Sequence, residues 1–228
     1  MKSIRLFTAA AMAAAGLVVA GAATESASAA VSKDLTTTYS SVIAGEKFSL
    51  AGHVQASRTV KLQYRSKTTD PWTTKSTPVT SSASGNFAFT NLTTTKTRYY
   101  RFYAPATGGY SKILGNSKKI TVVSQKVGSY LTPNPIYFYT DGGSVNETVH
   151  AVITIYPARE RSVKFTTPNG ANITVYTDSK GHAVAPFNLN KGAGTYSIVP
   201  VVQAANGAPA KSGSPASIVV KRGYFIIL

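Results

Sequence analysis

Residues 97–103, reading Thr-Arg-Tyr-Tyr-Arg-Phe-Tyr, gather more chemically capable side chains than any other short run of the chain. In an extended strand successive side chains alternate, so Tyr100 and Phe102 take one side and Tyr99, Arg101 and Tyr103 the other. Residues 59–65 alternate in the same way, with Val60, Leu62 and Tyr64 opposite Lys61, Gln63 and Arg65. Side by side, the two strands would present Lys61, Arg65, Tyr99, Arg101 and Tyr103 as one flat patch. Guanidinium forks and ammonium groups bind phosphate or carboxylate, and aromatic faces stack on sugar rings. The same residues also fit ordinary cross-strand cation–π packing on a solvated face, at about 0.5–1 kcal/mol per exposed pair. The sequence leaves both readings open.

Catalytic chemistry finds less support. There is no Cys to supply a thiolate, and His53, His150 and His182 stand apart without the spacing of a metal-binding or zinc-peptidase motif. Asp178 sits in a turn that accounts for it without catalysis. Neither a nucleophile elbow nor a phosphate-binding loop occurs, and eight scattered acidic residues make a poor calcium cage. The expectation is a protein that is not an enzyme and needs no cofactor and no metal.

Charge is the strongest compositional signal, with 24 Lys and Arg against 8 Asp and Glu, a net +16. Residues 1–30 read as a secretory signal peptide: Lys2 and Arg5, an Ala-rich apolar run over 9–23, then small residues at Ala27-Ser28-Ala29. Removing it leaves +15 and no apolar segment long enough to span a bilayer. The expected location is therefore secreted or retained at the cell surface. The expected partner is another extracellular protein, or an anionic wall polymer or glycan whose attraction weakens with salt. No recognisable nucleic-acid module accompanies the charge.

The elements that position these groups form two copies of one pattern. Arg58-Thr59-Val60-Lys61-Leu62 recurs as Arg161-Ser162-Val163-Lys164-Phe165, and residues 80–85 recur at 177–181. Tyr100-Arg101-Phe102 recurs as Tyr196-Ser197-Ile198, and the run at 120–123 recurs at 218–221. A repeat of about a hundred residues means tandem domains. Strands are predicted at 35–43, 47–54, 59–65, 73–79, 86–91, 97–104 and 118–123. In the second copy they are predicted at 136–140, 145–155, 161–167, 172–177, 182–189, 195–203 and 215–221. Sustained helical periodicity is missing. The fold class is all-β: two tandem immunoglobulin-like antiparallel β-sandwiches after the signal peptide, at 31–125 and 136–222. Residues 126–135 are read as a linker held extended by Pro133 and Pro135, with Tyr130, Tyr137, Phe138 and Tyr139 packing at the junction. Trp72 is expected to cover the edge of the first core.

The second copy resembles the bacterial immunoglobulin-like modules of secreted actinobacterial and invasin-type surface proteins. The resemblance is carried by Val163-Lys164-Phe165-Thr166, Gly170-Ala171, Thr177-Asp178 with Gly181 and Ala183, and Gly194-Thr195-Tyr196-Ser197-Ile198. It implies a role in adhesion, or as a spacer or adaptor in a surface complex. These marks are core and turn positions, so they transfer a fold and leave the function to the site.

The chain closes on residues 223–228, an apolar tail. Tyr224, Phe225, Ile226, Ile227 and Leu228 could extend the final strand or donate a strand to the sheet edge of a partner or second copy. Three roles stand together: an adaptor for a protein partner, a basic binder of wall polymer or carbohydrate, and a passive spacer.

Overall fold

A computed structural model describes residues 31–75, 77–139 and 143–223; the expected signal peptide and the strand-donation tail at 224–228 lie outside them. No helix occurs among the described residues. The first copy contains β1 (Ser32–Thr37), β2 (Ser41–Val42), β3 (Phe48–His53), β4 (Thr59–Arg65) and β5 (Thr73–Thr74), then β6 (Val79–Thr80), β7 (Asn86–Leu92), β8 (Arg98–Ala104), β9 (Ile113–Leu114) and β10 (Lys118–Val122). The second contains β11 (Lys126–Thr132), β12 (Ile136–Phe138), β13 (Val145–Tyr156), β14 (Ser162–Thr166) and β15 (Asn172–Tyr176), then β16 (His182–Lys191), β17 (Gly194–Ile198), β18 (Val201–Val202), β19 (Lys211–Ser212) and β20 (Ala216–Arg222).

Period-two alternation decides what is inside. Val60 and Leu62 of β4, Phe102 and Ala104 of β8 and Ile120 of β10 are fully buried against Leu50, Phe87 and Phe89 of the facing sheet. Edge-to-face rings fill much of this core, Phe87 lying 5.1 Å from Phe102 and Phe48 5.7 Å from Tyr100. A separate core joins Val149, Ile153, Phe165, Leu189, Ile198 and Ile218 in the second copy. With no Cys in the chain, each core rests on apolar burial at about 25 cal/mol per Å².

One face of the first copy is the sheet β1-β3-β7; the other is β2-β10-β8-β4-β5. The second copy repeats this as β11-β13-β16 opposite β12-β20-β17 and β15-β14-β18-β19. In both, the opening strand changes sheets. β1 runs antiparallel to β3 and β2 parallel to β10, while β11 runs antiparallel to β13 and β12 parallel to β20. Lys126–Thr132, expected in a linker, is thus a strand with seven residues in register on β13. The crossover behind it is fixed by Asn134, which donates to Ser217 O at 3.0 Å and accepts from Val219 N at 2.9 Å.

Prolines account for other departures. The strand expected at 195–203 breaks at Val199-Pro200 into β17, paired with β20, and β18, paired with β14. Proline has no N–H for the ladder and restricts its predecessor, so one strand cannot serve both neighbours there. Pro78 likewise falls between β5 and β6, where a single strand over 73–79 was expected.

The two copies share local devices beyond their core. Ser81 and Thr177 each accept the amide of the repeated arginine, Arg58 or Arg161, at 2.9 Å. Gly85 and Gly181 both have positive φ, and their carbonyls accept Val54 N and Ile155 N at 2.9 Å. A side chain at Gly85 would collide with Val54 O, and one at Gly181 would lie 2.6 Å from Ile155 O. The arginines themselves are buried, Arg58 at 1% and Arg161 at 4% exposure. Arg58 donates to Pro105 O at 2.9 Å and to Ser111 O; Arg161 donates to Gln203 O at 2.5 Å. Each ties down the loop after the eighth strand region of its copy.

The junction between the copies is polar. The loop at 205–208 sits on the turn at 45–47, where Lys47 N donates to Asn206 O at 2.9 Å and Asn206 Nδ2 to Lys47 O at 3.2 Å. Gly207 and Gly45 approach so closely that a side chain at Gly207 would collide with Gly45 O. Arg159 donates to Glu46 Oε1 at 3.0 Å and to Ser41 O at 2.6 Å, and stacks 3.6 Å from the Tyr39 ring centre. Of the tyrosines expected at the junction, Tyr130 is 60% exposed on β11, and Tyr137 and Tyr139 are half-exposed; Phe138 packs on the second core.

Candidate functional site

Strands β4 and β8 are antiparallel neighbours with Lys61 opposite Tyr103, Gln63 opposite Arg101 and Arg65 opposite Tyr99. The parity read from sequence puts Tyr100 and Phe102 in the core, so Lys61, Arg65, Tyr99, Arg101 and Tyr103 share the outer face, each half-buried. On the far side of β8, Lys119 of β10 pairs with Tyr99, its Nζ 5.9 Å from the ring centre.

The centre of the face is a residue assigned to the core edge by sequence. β5 pairs with β4 through Thr74–Gln63 and Thr73–Tyr64, a register that brings Trp72 beside Arg65 on the outer face. The guanidinium of Arg65 lies 4.4 Å from the indole ring centre and that of Arg101 4.3 Å. Arg101 Nε also donates to Gln63 Oε1 at 2.8 Å, and Gln63 Nε2 to Thr74 Oγ1 at 3.1 Å. Trp72 is thus a platform for two cations rather than a core cover. Its position depends on cross-strand register, which the Asp70-Pro71 turn does not reveal; an isolated Trp between two Arg-bearing strands was the available hint.

These cations lack counter-charges. Lys61, Arg65, Arg101 and Lys119 have no carboxylate partner among the described residues. Partial burial, with the neighbouring charge of Arg65, holds the Arg101 guanidinium below its usual pKa. Like charges crowded on one ring favour an anion, which relieves their repulsion and accepts guanidinium hydrogen bonds in bidentate geometry.

The second copy does not repeat the face. Its register places Tyr196 opposite Ile218 where the first copy has Arg98 opposite Ile120, shifting the third sequence landmark by two residues. Ser197, Val199 and Val201 then occupy the positions of Tyr99, Arg101 and Tyr103, leaving Lys164 in place of Lys61. Its opposite sheet is uncharged at the centre: Tyr130, Val152 and Val184 line up across β11, β13 and β16 with His150 and His182 in the flanking rows. Residues 31–125 carry 13 Lys and Arg against three Asp and Glu; residues 126–228 carry nine against four.

The histidines are tied to local structure. His53 Nε2 lies 2.8 Å from Ser84 O, and His182 Nδ1 lies 3.3 Å from Thr154 Oγ1. Asp178 caps its turn, accepting Lys180 N and His182 N at 2.9 Å, and those bonds lower its pKa. No group of three or more His, Cys, Asp or Glu that could hold a metal occurs among the described residues.

No family model and no curated protein matches the chain. Among solved structures it is similar to a 1.5-MDa bacterial ice-binding adhesin studied for host cell surface retention, with TM-score 0.39 and 11% identity over 83% of this chain. It is also similar to a Ca2+-stabilised adhesin with which an Antarctic bacterium binds ice, with TM-score 0.37 and 14% identity over 85% of this chain. The ligand-binding domain of human OSCAR gives TM-score 0.35 and 15% identity over 81% of this chain and 96% of its own length. The chain spans 64% and 50% of the two adhesin chains. At these scores the functional reading rests on the geometry of the face itself.

Proposed function

We propose that this chain is a non-catalytic extracellular binding protein of two immunoglobulin-like modules. The outer face of the first holds an anionic wall polymer or acidic glycan. The observation that carries this reading is the pair of guanidiniums, from Arg65 and Arg101, set on the Trp72 ring with no carboxylate partner among the described residues. Rings on such a face stack on sugar, and the guanidinium edges donate hydrogen bonds to acidic substituents. The mechanism is equilibrium recognition, steered by the net charge and weakened by salt. The second module meets the first through the Arg159–Glu46 ion pair at 3.0 Å, away from this face.

The test is retention of the purified chain on isolated cell wall and on an anionic polysaccharide, at low and high salt. Salt-released retention that falls about tenfold in Trp72→Ala, Arg101→Ala or Tyr103→Ala supports the reading. Retention indifferent to all three substitutions removes it.

A second reading, an adaptor for a protein partner, draws on the uncharged Tyr130–Val152–Val184 row in an otherwise basic chain. It predicts salt-tolerant association, weakened by Tyr130→Lys and unaffected by Trp72→Ala.

A further inference from the structure

Strand β8 carries one more cation, on the opposite side from the Trp72 face. Arg98 alternates with Tyr99, and its guanidinium lies 4.4 Å from the ring centre of Tyr64, which in turn lies 6.4 Å from the Tyr100 ring. Stacking occupies the flat face of a guanidinium and leaves its N–H edge free for bonds in the plane. Here that edge is unused: Nε is shielded from solvent without a partner, and Arg98 has no carboxylate partner among the described residues.

Beside it lies a groove of about 490 Å³ whose lining includes Tyr64, Lys75, Thr93, Thr94, Arg98 and Tyr100. Its lining carries two cations, several hydroxyls and no acid. The wall is braced: Thr94 Oγ1 donates to Lys96 O at 2.6 Å and accepts Lys96 N at 3.3 Å. In the second copy Tyr196 takes the place of Arg98, and its hydroxyl is already spent on Gly192 O at 3.1 Å. The cationic groove therefore belongs to the first copy alone.

We propose that this groove is a phosphate subsite. One phosphate group sits in the plane of the Arg98 guanidinium, with the Lys75 ammonium and the Thr93 and Thr95 hydroxyls meeting its remaining oxygens. Donors converging from an arginine edge, a lysine and a hydroxyl-bearing loop suit a tetrahedral oxyanion better than a planar carboxylate. This deepens the polymer reading and rests on it. Strand β4 turns Tyr64 toward the groove and Arg65 toward the Trp72 face, so a phosphate-bearing polymer on the outer face can reach round the β5 edge into the groove.

The experiment is an NMR titration of the full chain with inorganic phosphate, and with acetate at matched ionic strength. It uses the wild type, Arg98→Gln, Lys75→Gln and Trp72→Ala. The expected result is a saturable shift of the Thr93–Thr95 amides with phosphate only, weakened about tenfold by Arg98→Gln and less by Lys75→Gln. Trp72→Ala should leave it unchanged. Should Arg98→Gln fold poorly, Lys75→Gln decides, since that exposed side chain can change without disturbing the core. Equal response to acetate, no saturable shift, or indifference to both substitutions overturns the subsite. Wall retention that needs Trp72 and Arg101 while phosphate fails to bind removes the subsite and leaves the face. Phosphate binding without any wall retention leaves the subsite and removes the polymer reading.

Discussion

Arg159 and Glu46, 113 residues apart in sequence, meet at 3.0 Å with their side chains 13% and 3% exposed. The carboxylate is divided between the two copies, because its other oxygen accepts Ile43 N at 2.9 Å within the first sandwich. Removing one partner of a buried pair leaves the other charge desolvated and uncompensated, at a cost on the order of 3 kcal/mol. Arg159→Ala should therefore lower the urea midpoint of the first sandwich although the residue belongs to the second. Arg159→Ala and Glu46→Ala should be non-additive in a double-mutant cycle. Small-angle scattering should show a broader distribution of particle lengths once the contact is gone. Additive effects with unchanged scattering would show that the junction does not depend on this pair.

A buried arginine in each copy does comparable work within its own sandwich. Arg58→Met keeps the apolar stem but strands the carbonyls of Pro105 and Ser111, for a loss of about 3 kcal/mol. Limited proteolysis should then cut within 105–111 first. Arg161→Met should loosen the loop at 203–209 and, through Asn206, the junction as well. Its effect is expected in the scattering profile as well as in the urea midpoint, whereas Arg58→Met should alter the midpoint alone.

What the sequence made legible was local. The alternation of Val60 and Leu62 with Lys61 and Gln63 predicts the buried face of β4, and the Gly85 and Gly181 turns mark the hairpins. Contacts that depend on register or on distant segments were not legible. Lys126–Thr132 carries Gly128 and few strongly apolar residues, and becomes a strand because β13 offers it a ladder. Trp72 joins the cationic face through a pairing of two residues in β5. Lys61, Arg65, Tyr99, Arg101 and Tyr103 lie on one side of β4 and β8, and Trp72, which alternation along those two strands does not reach, stands between Arg65 and Arg101.

Turn glycines should separate by what surrounds them. Gly170 and Gly181 both have positive φ, but a side chain at Gly170 meets nothing within 4 Å while one at Gly181 meets Ile155 O at 2.6 Å. Gly170→Ala should cost about 1 kcal/mol, the backbone penalty alone. Gly181→Ala adds a clash with a carbonyl that is itself in a strand, and should cost roughly twice as much or more. Chemical denaturation of the two variants measures the difference directly.

Asp178 predicts a pH dependence with a definite sign. Backbone bonds from His182 and Lys180 lower its folded pKa below the usual carboxylate value. Its contribution is then fully present above the unfolded pKa and is lost as pH falls through the folded one. Wild type should lose stability relative to Asp178→Asn on acidification below about pH 5, and the two curves should run parallel at neutral pH. Curves parallel throughout would show that the bonds to Asp178 form equally well with its neutral replacement.

The face makes a sharper demand on its cations than charge alone. Arg65 and Arg101 lie over Trp72 at 4.4 Å and 4.3 Å from its ring centre, and Arg101 also donates through Nε to Gln63. Lysine preserves the charge but has neither the plane that stacks nor the fork that binds an oxyanion at two points. Arg101→Lys should therefore bind anionic polymer nearly as weakly as Arg101→Gln, while retaining the salt dependence of the wild type. The check is a pair of binding isotherms at two ionic strengths. If Arg101→Lys instead matches the wild type, net charge is what the ligand reads, and the stacked geometry on Trp72 serves only to order the sheet surface.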